Sequence, residues 1–218
     1  MEVSTRGWPE GAYLIRLTSD AGDQRYVPLT VRSARTAGKL VLVNAVGTWQ
    51  AYNTWGGHSL YYGPGGKDDY ASRSLAVSCD RPYDRDGAPL FTTYEQPAVA
   101  LAEKLGLPLA YVTSMDLDRE PELLRGAHGV VSLGHDEYWT PAMRSRVTAA
   151  RDAGTNVAFL GGRTPASGGS GWSKGSAGTG AWWSATRPTG SRTRCPAGTT
   201  HRSRRTGVSR RTRARRTR

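Results

Sequence analysis

Between Lys39 and Leu160, short apolar runs alternate with stretches of helical spacing, and this alternation leaves the chain few folds to choose from. Lys39-Leu-Val-Leu-Val-Asn-Ala-Val46, Ala110–Thr113, Gly129–Leu133 and Asn156–Leu160 are nearly continuous in apolar residues. Such runs suit parallel strands covered on both faces. Between them, Glu95 to Leu105 sets Val99, Leu101, Ala102 and Leu105 at helical spacing and ends at Gly106. Glu120–Arg125 reads as a short helix. Thr140 can cap a further helix with Pro141 at its first position, running to about Ala153 and stopping at Gly154. Strand and helix in alternation predict an α/β fold with a parallel, doubly wound sheet. In such sheets ligands bind beyond the carboxyl ends of the strands.

Ahead of this pattern, residues 12–17 and 25–31 read as two strands around the turn-rich Ser19-Asp-Ala-Gly-Asp23, a hairpin with Pro28 marking an edge. Two strands cannot bury a core alone. The hairpin is either the end of a preceding β-domain or is docked on the α/β domain. Residues 32–38 read as a linker, 47–71 as a long loop rich in glycine and aromatics, and Ser74–Ser78 as a short strand. The expected division is 1–38, 39–162 and a tail at 163–218.

The formal net charge of +12 belongs to that tail. From Arg163 on there are thirteen Arg, one Lys and no Asp or Glu, which leaves residues 1–162 at −2. Of the 56 tail residues, 49 are Arg, Gly, Ser, Thr, Ala or Pro, so disorder is expected. The tail lacks the aromatic interleaving of a base-stacking surface, and nucleic acid is not the expected partner. A basic-tailed nucleic-acid-binding protein, acting through counterion release, stands as an alternative. Cys79 and Cys195 form neither a disulfide framework nor a zinc site. No run is long and apolar enough to span a membrane, and no export signal follows Met1. The cytoplasm is the default expectation.

Four segments carry polar chemistry: Thr48 to His58, Ser78 to Tyr83, Gly134-His-Asp-Glu-Tyr-Trp139, and Phe159-Leu-Gly-Gly162. The first, third and fourth fall at strand ends, and the sheet would gather them at one edge. They offer carboxylates (Asp136, Glu137), imidazoles (His58, His135), phenols (Tyr52, Tyr83, Tyr138) and the Asn53 amide. Carboxylate and phenolate oxygens suit a hard cation such as ferric iron. His135 could act as a general base or a hydrogen-bond donor. Each has a structural alternative. Glu137 could be a helix-start or salt-bridging carboxylate and His135 a loop brace. Tyr52 and Tyr83 could be packing aromatics, and Trp49, Trp55 and Trp139 core or pocket-wall residues. Neither a phosphate-binding P-loop nor an H-E-x-x-H helix is present.

Together, Trp49-Gln-Ala-Tyr-Asn-Thr-Trp-Gly-Gly57 with Ser59-Leu-Tyr61, Asp80-Arg-Pro-Tyr83, and Gly134 to Trp139 followed by Pro141 and Arg144 resemble the C-terminal domain of the N,N-dimethylformamidase large (β) subunit family. The resemblance covers about residues 7–162. It implies a fold similar to the glutamine amidotransferase type without its cysteine, preceded by the end of a β-sandwich. It also implies a mononuclear iron, expected as Fe3+, held by two tyrosines and one glutamate. These fall on Tyr52, Tyr83 and Glu137, with His135 close to the metal. The implied catalytic pair is His135 and Glu137, and the implied substrate pocket is Asn53, Trp55 and Trp139. The implied activity is hydrolysis of a small linear amide: the metal acts as a Lewis acid on the carbonyl and water or hydroxide attacks, giving an amine and a carboxylic acid. A small subunit and a homo-oligomer are the partners it implies. A noncatalytic α/β ligand-binding domain is the alternative from another class.

The family pattern breaks at Arg163, where aliphatic and acidic residues vanish as a strand–loop motif should complete. A shifted reading frame in GC-rich coding DNA is the expected origin of the tail, and a fragment of impaired activity the expected product.

Overall fold

The computed structural model describes residues 3–66 and 69–161, and the backbone of 170–174 and 181–185. All of these lie within one compact unit, Met1–Arg187. Strands β1 (Gly11–Thr18) and β2 (Gln24–Val31) form the expected antiparallel hairpin, pairing from Gly11 opposite Val31 to Thr18 opposite Gln24.

The expected parallel sheet forms from β3 (Leu40–Asn44), β5 (Leu109–Thr113), β6 (Gly129–Ser132) and β7 (Asn156–Phe159), in the order β5-β3-β6-β7. The intervening elements are α1 (Val46–Tyr52), β4 (Ala76–Ser78), α2 (Pro89–Tyr94), α3 (Gln96–Lys104), α4 (Ser114–Arg119) and α5 (Pro141–Asp152). Strand alternation sends Val41, Val43, Val112 and Val130 to one face, against Leu117 of α4 and Met143 and Val147 of α5. Leu42, Tyr111 and Val131 face the other way, against Val99 and Ala102 of α3 and Ala12 of the hairpin. Both faces are covered, which is why the strand sequences are apolar throughout. Each such side chain contributes roughly 1.5–3 kcal/mol on burial. The hairpin docks on the sheet through polar ties as well: Ser33 N–H donates to the Tyr111 carbonyl at 2.9 Å and Thr30 Oγ1 to Asn44 Oδ1 at 3.0 Å.

The segment from residue 47, expected as loop, begins with α1. The helix expected from Glu95 to Leu105 forms as α3, and a further helix, α2, precedes it. The short helix expected at 120–125 lies earlier, at α4, because Thr113 and Asp116 form a reciprocal capping box ahead of it; residues 121–126 are turns.

Ten residues of the tail expected to be disordered form strands. β8 (Ser170–Lys174) and β9 (Ala181–Ala185) pair antiparallel, and β9 pairs with β4. Trp172, Trp182 and Trp183 lie in these strands, and tryptophan favours the pleated conformation. The rest of the expected tail lies outside the described residues.

The strand order locates the site. From β3 the chain passes to β5 on one side and then crosses to β6 on the other. Connections leaving the carboxyl ends of β3 and β6 therefore diverge, and a crevice opens between them at this switch point.

Candidate functional site

Two segments enter the crevice: α1, directly after β3, and the loop Leu133–Trp139 after β6. Thr48 of α1 joins them. Its Oγ1 accepts the backbone N–H of Glu137 at 3.0 Å and of Tyr138 at 3.1 Å. One helical turn on, Tyr52 donates its hydroxyl to Glu137 Oε2 at 2.6 Å. His135 Nε2 lies 3.3 Å from the same oxygen. Tyr52, Glu137 and His135 thus converge on one point, with Glu137 only 4 % exposed.

The β6 loop reaches this position through Gly134. Its φ of +48° is left-handed, and a Cβ there would sit 2.4 Å from the Tyr94 carbonyl oxygen. Gly161 packs from the other side, where a Cβ would come within 2.0 Å of the Gly134 carbonyl. Only glycines allow this approach. It leaves the His135 ring 4.8 Å from that of Tyr52 and 5.5 Å from that of Tyr94.

Helix α1 has no side-chain cap from its own N-cap residue, Ala45. Distant groups satisfy its ends instead. Glu95, fully buried, accepts Ala45 N–H at 3.1 Å, Trp49 Nε1 at 2.7 Å and Asn44 Nδ2 at 2.7 Å. Ser114 Oγ accepts Gly47 N–H at 2.9 Å. At the other end, Arg81 donates to the carbonyls of Gln50 and Asn53, both at 2.9 Å, of Trp55 at 3.0 Å and of His58 at 3.1 Å.

The electrostatics follow from burial. Burial, then the bond to Glu137, holds the Tyr52 phenol well above its ordinary range. Tyr61, stacked on Tyr52 at 4.2 Å between ring centroids, is raised chiefly by burial. Burial pushes Glu95 up to about 8, against the pull of its three donors. Burial pushes Asp136 up to about 6, opposed by the nearby Trp139 indole and by hydroxyls of Ser132 and Thr48.

Of the residues singled out in the sequence, Tyr52, His135 and Glu137 come together. The Tyr83 ring meets Trp49 edge-on at 6.1 Å and lines the same cavity as Tyr52. Asn53 is buried and its amide ties the end of α1 to the segment after β4, with Gln50 Oε1, the Pro82 carbonyl and the N–H groups of Trp55 and Asp84 as partners. Trp139 is 2 % exposed and packs in the core with Val130 and Met143. Trp55 is 46 % exposed. A cavity of about 200 Å³ beside the pair is walled by Trp49, Tyr52, Tyr62, Tyr83, Leu90 and Phe91, among others.

Sequence reasoning missed Thr48, Glu95 and Arg81 as organisers of the site, and Tyr61 as the phenol against Tyr52. Tyr61 and Arg81 stand inside recognised motifs. Thr48 and Glu95 act through groups far along the chain.

Among the described residues no cluster of three His, Cys, Asp or Glu side chains could hold a metal ion. A metal here would depend on phenol oxygens. The Tyr52–Glu137 pair fits that requirement. A phenol and a carboxylate at 2.6 Å hold one proton between them, and a hard cation in its place would compensate both oxygens as anions. Tyr61 stacks on Tyr52, whereas the expected second phenol, Tyr83, packs edge-on against Trp49.

A family model described as N,N-dimethylformamidase beta subunit-like, C-terminal, matches residues 1–165. No curated protein matches the chain.

Proposed function

Since the chain belongs to the N,N-dimethylformamidase beta subunit-like family, we propose that the Tyr52–Glu137 pair is the centre of a metal-dependent amide hydrolase acting on a small linear amide. The observation that carries this reading is the convergence of the Tyr52 hydroxyl and His135 Nε2 on one oxygen of Glu137, at 2.6 and 3.3 Å. Both lie at the switch point of the sheet.

In this reading Glu137 and Tyr52 would hold a mononuclear iron, with Tyr61 as the second phenol in place of Tyr83, and the ion would supply Lewis acidity toward the amide carbonyl. Tyr52 would give up its proton to bind it, and the buried Glu137 would carry the balancing charge. His135 takes the proton of the attacking water and returns it to the amine nitrogen as the C–N bond breaks. Water is consumed, and a carboxylic acid and an amine leave. The aromatic cavity beside Tyr52 receives the substituents of the amide and excludes solvent water. By this reading the α/β layer also resembles the glutamine amidotransferase type.

Metal analysis of the purified full chain, with amine release from N,N-dimethylformamide, tests the proposal. Iron near one per chain in the wild type, lost with hydrolysis in Glu137→Ala, is the expected result. A folded wild-type chain that takes up no metal overturns it. Tyr61→Phe and Tyr83→Phe assign the second phenol: the true ligand's variant loses iron.

A further inference from the structure

Helix α1 has seven residues and carries Tyr52 in its last turn. So short a helix is unstable alone, yet the Tyr52 hydroxyl must meet Glu137 to within a few tenths of an ångström. We infer that Glu95 and Arg81 are positioning residues, which grip α1 at its two ends and thereby set the Tyr52 hydroxyl against Glu137. The inference rests on the reading of that pair as the reactive centre, but its geometry stands apart from any metal.

Three observations carry it. First, both residues bond to α1 or its flanks rather than to one another. Glu95 takes the Ala45 N–H and the Trp49 indole at the start. Arg81 takes the Gln50 and Asn53 carbonyls at the end, where both carbonyls fall to the same guanidinium nitrogen. Second, the guanidinium at the carboxyl end of the helix carries the sign that complements the backbone dipole. Third, burial makes the grip stiff. Glu95 is fully buried, and a buried network with its partners satisfied resists rearrangement. Neither side chain touches the Tyr52 hydroxyl or Glu137 in a hydrogen bond, so neither is a catalytic residue.

Glu95 extends the grip to the sheet and the hairpin. Its Oε2 accepts Asn44 Nδ2 at 2.7 Å, which turns Asn44 Oδ1 toward the Thr30 hydroxyl at 3.0 Å. One carboxylate therefore fixes the end of β3, the start of α1 and, through Asn44, strand β2. Glu95→Gln keeps an oxygen for Ala45 and Trp49 but sets an amide NH2 against Asn44 Nδ2. Arg81→Lys keeps the charge and loses the fork that spans the carbonyls.

The test is made on metal-free full-length protein labelled at tyrosine 13Cζ, with the Tyr52 signal assigned by Tyr52→Phe. Glu137→Gln calibrates the shift that comes from altering the pair. Glu95→Gln and Arg81→Lys should each move the Tyr52 signal by about half that shift or more. Tyr111, on β5 with Glu103 as its hydrogen-bond partner, should stay in place. If Glu95→Gln fails to fold, Trp49→Phe replaces it, since it removes one donor to Glu95 and retains a ring. An unmoved Tyr52 signal in folded variants overturns the inference, as does a Tyr111 signal that moves equally. Because no metal is present, a chain without iron or hydrolysis would defeat the proposed function and leave this result intact.

Discussion

Tyr52 and Glu137 stand 85 positions apart in the chain, yet the hydroxyl of one donates to the carboxylate of the other at 2.6 Å. The bond crosses the switch point of the sheet, from the helix after β3 to the loop after β6. Neither group could occupy this place without the strand order that brings the two connections side by side.

Glu137→Gln should separate the chemistry from the fold. The amide can still accept the Tyr52 hydroxyl, so stability should fall by no more than about 1.5–3 kcal/mol, the value of one hydrogen bond to a charged group. Iron binding and amide hydrolysis should fall to background, because a neutral amide cannot balance a cation. Metal content and urea midpoint, measured on the same preparation, check both halves. Retained iron in the Gln variant would remove Glu137 from the ligand set.

Thr48 is the hinge pin of the crevice. Thr48→Val leaves the N–H groups of Glu137 and Tyr138 without their acceptor in a buried place, at a cost of about 1–3 kcal/mol for each unsatisfied group. The loop should escape by moving toward solvent, so hydrolysis should drop by more than the stability loss alone predicts. Thr48→Ser should restore both. Equal activity in the Val and Ser variants would show that the loop holds its place without this contact.

The sheet was legible in the sequence because its causes are local. Strands buried on both faces must be apolar throughout, and Thr140-Pro141 is a helix start within four residues of chain. The motif loop was legible for a similar reason: Gly134 is required where the backbone meets Tyr94, and the carboxylate and imidazole follow it directly. Helix α1 was not legible. Its capping groups, Glu95, Ser114 and Arg81, lie 28 to 67 residues from the backbone groups they satisfy, and Gly47 and Thr48 weaken the local helical pattern. The stacking of Tyr61 on Tyr52 was not legible either, because a motif names residue types and not the direction a ring takes. The tail strands eluded reading because composition counts aliphatic residues and gives three tryptophans little weight.

Thr140 tests the boundary between scaffold and site. Its Oγ1 accepts Met143 N–H at 3.1 Å and donates to Asp118 at the end of α4, tying two helices behind the motif loop. Thr140→Ala should cost about 1–2 kcal/mol through the lost cap, seen as a lower denaturation midpoint. Iron affinity and the Tyr52 signal should be unchanged in the folded protein. A loss of iron affinity would mean that α5 transmits to the site.

Glu95 gives stability a pH dependence of definite sign. In the unfolded chain its carboxyl titrates near 4.5, and in the folded protein burial raises it to about 8. Below 4.5 both states hold the proton, and the contribution is full. Between 4.5 and 8 the folded state alone holds it, so the unfolding free energy declines as pH rises through this window. Asp136 adds a smaller decline of the same sign between 3.8 and about 6. The loss from Glu95 should be on the order of a few kcal/mol, since each unit of difference corresponds to about 1.4 kcal/mol. Glu95→Gln cannot ionise and should lack this part of the slope. Urea denaturation of both proteins at intervals from pH 5 to pH 8.5 measures it. The two should lie closest at pH 5, with the wild type losing ground at each step above. Parallel curves across the range would mean that the carboxylate is already charged in the fold, held so by Asn44, Ala45 and Trp49.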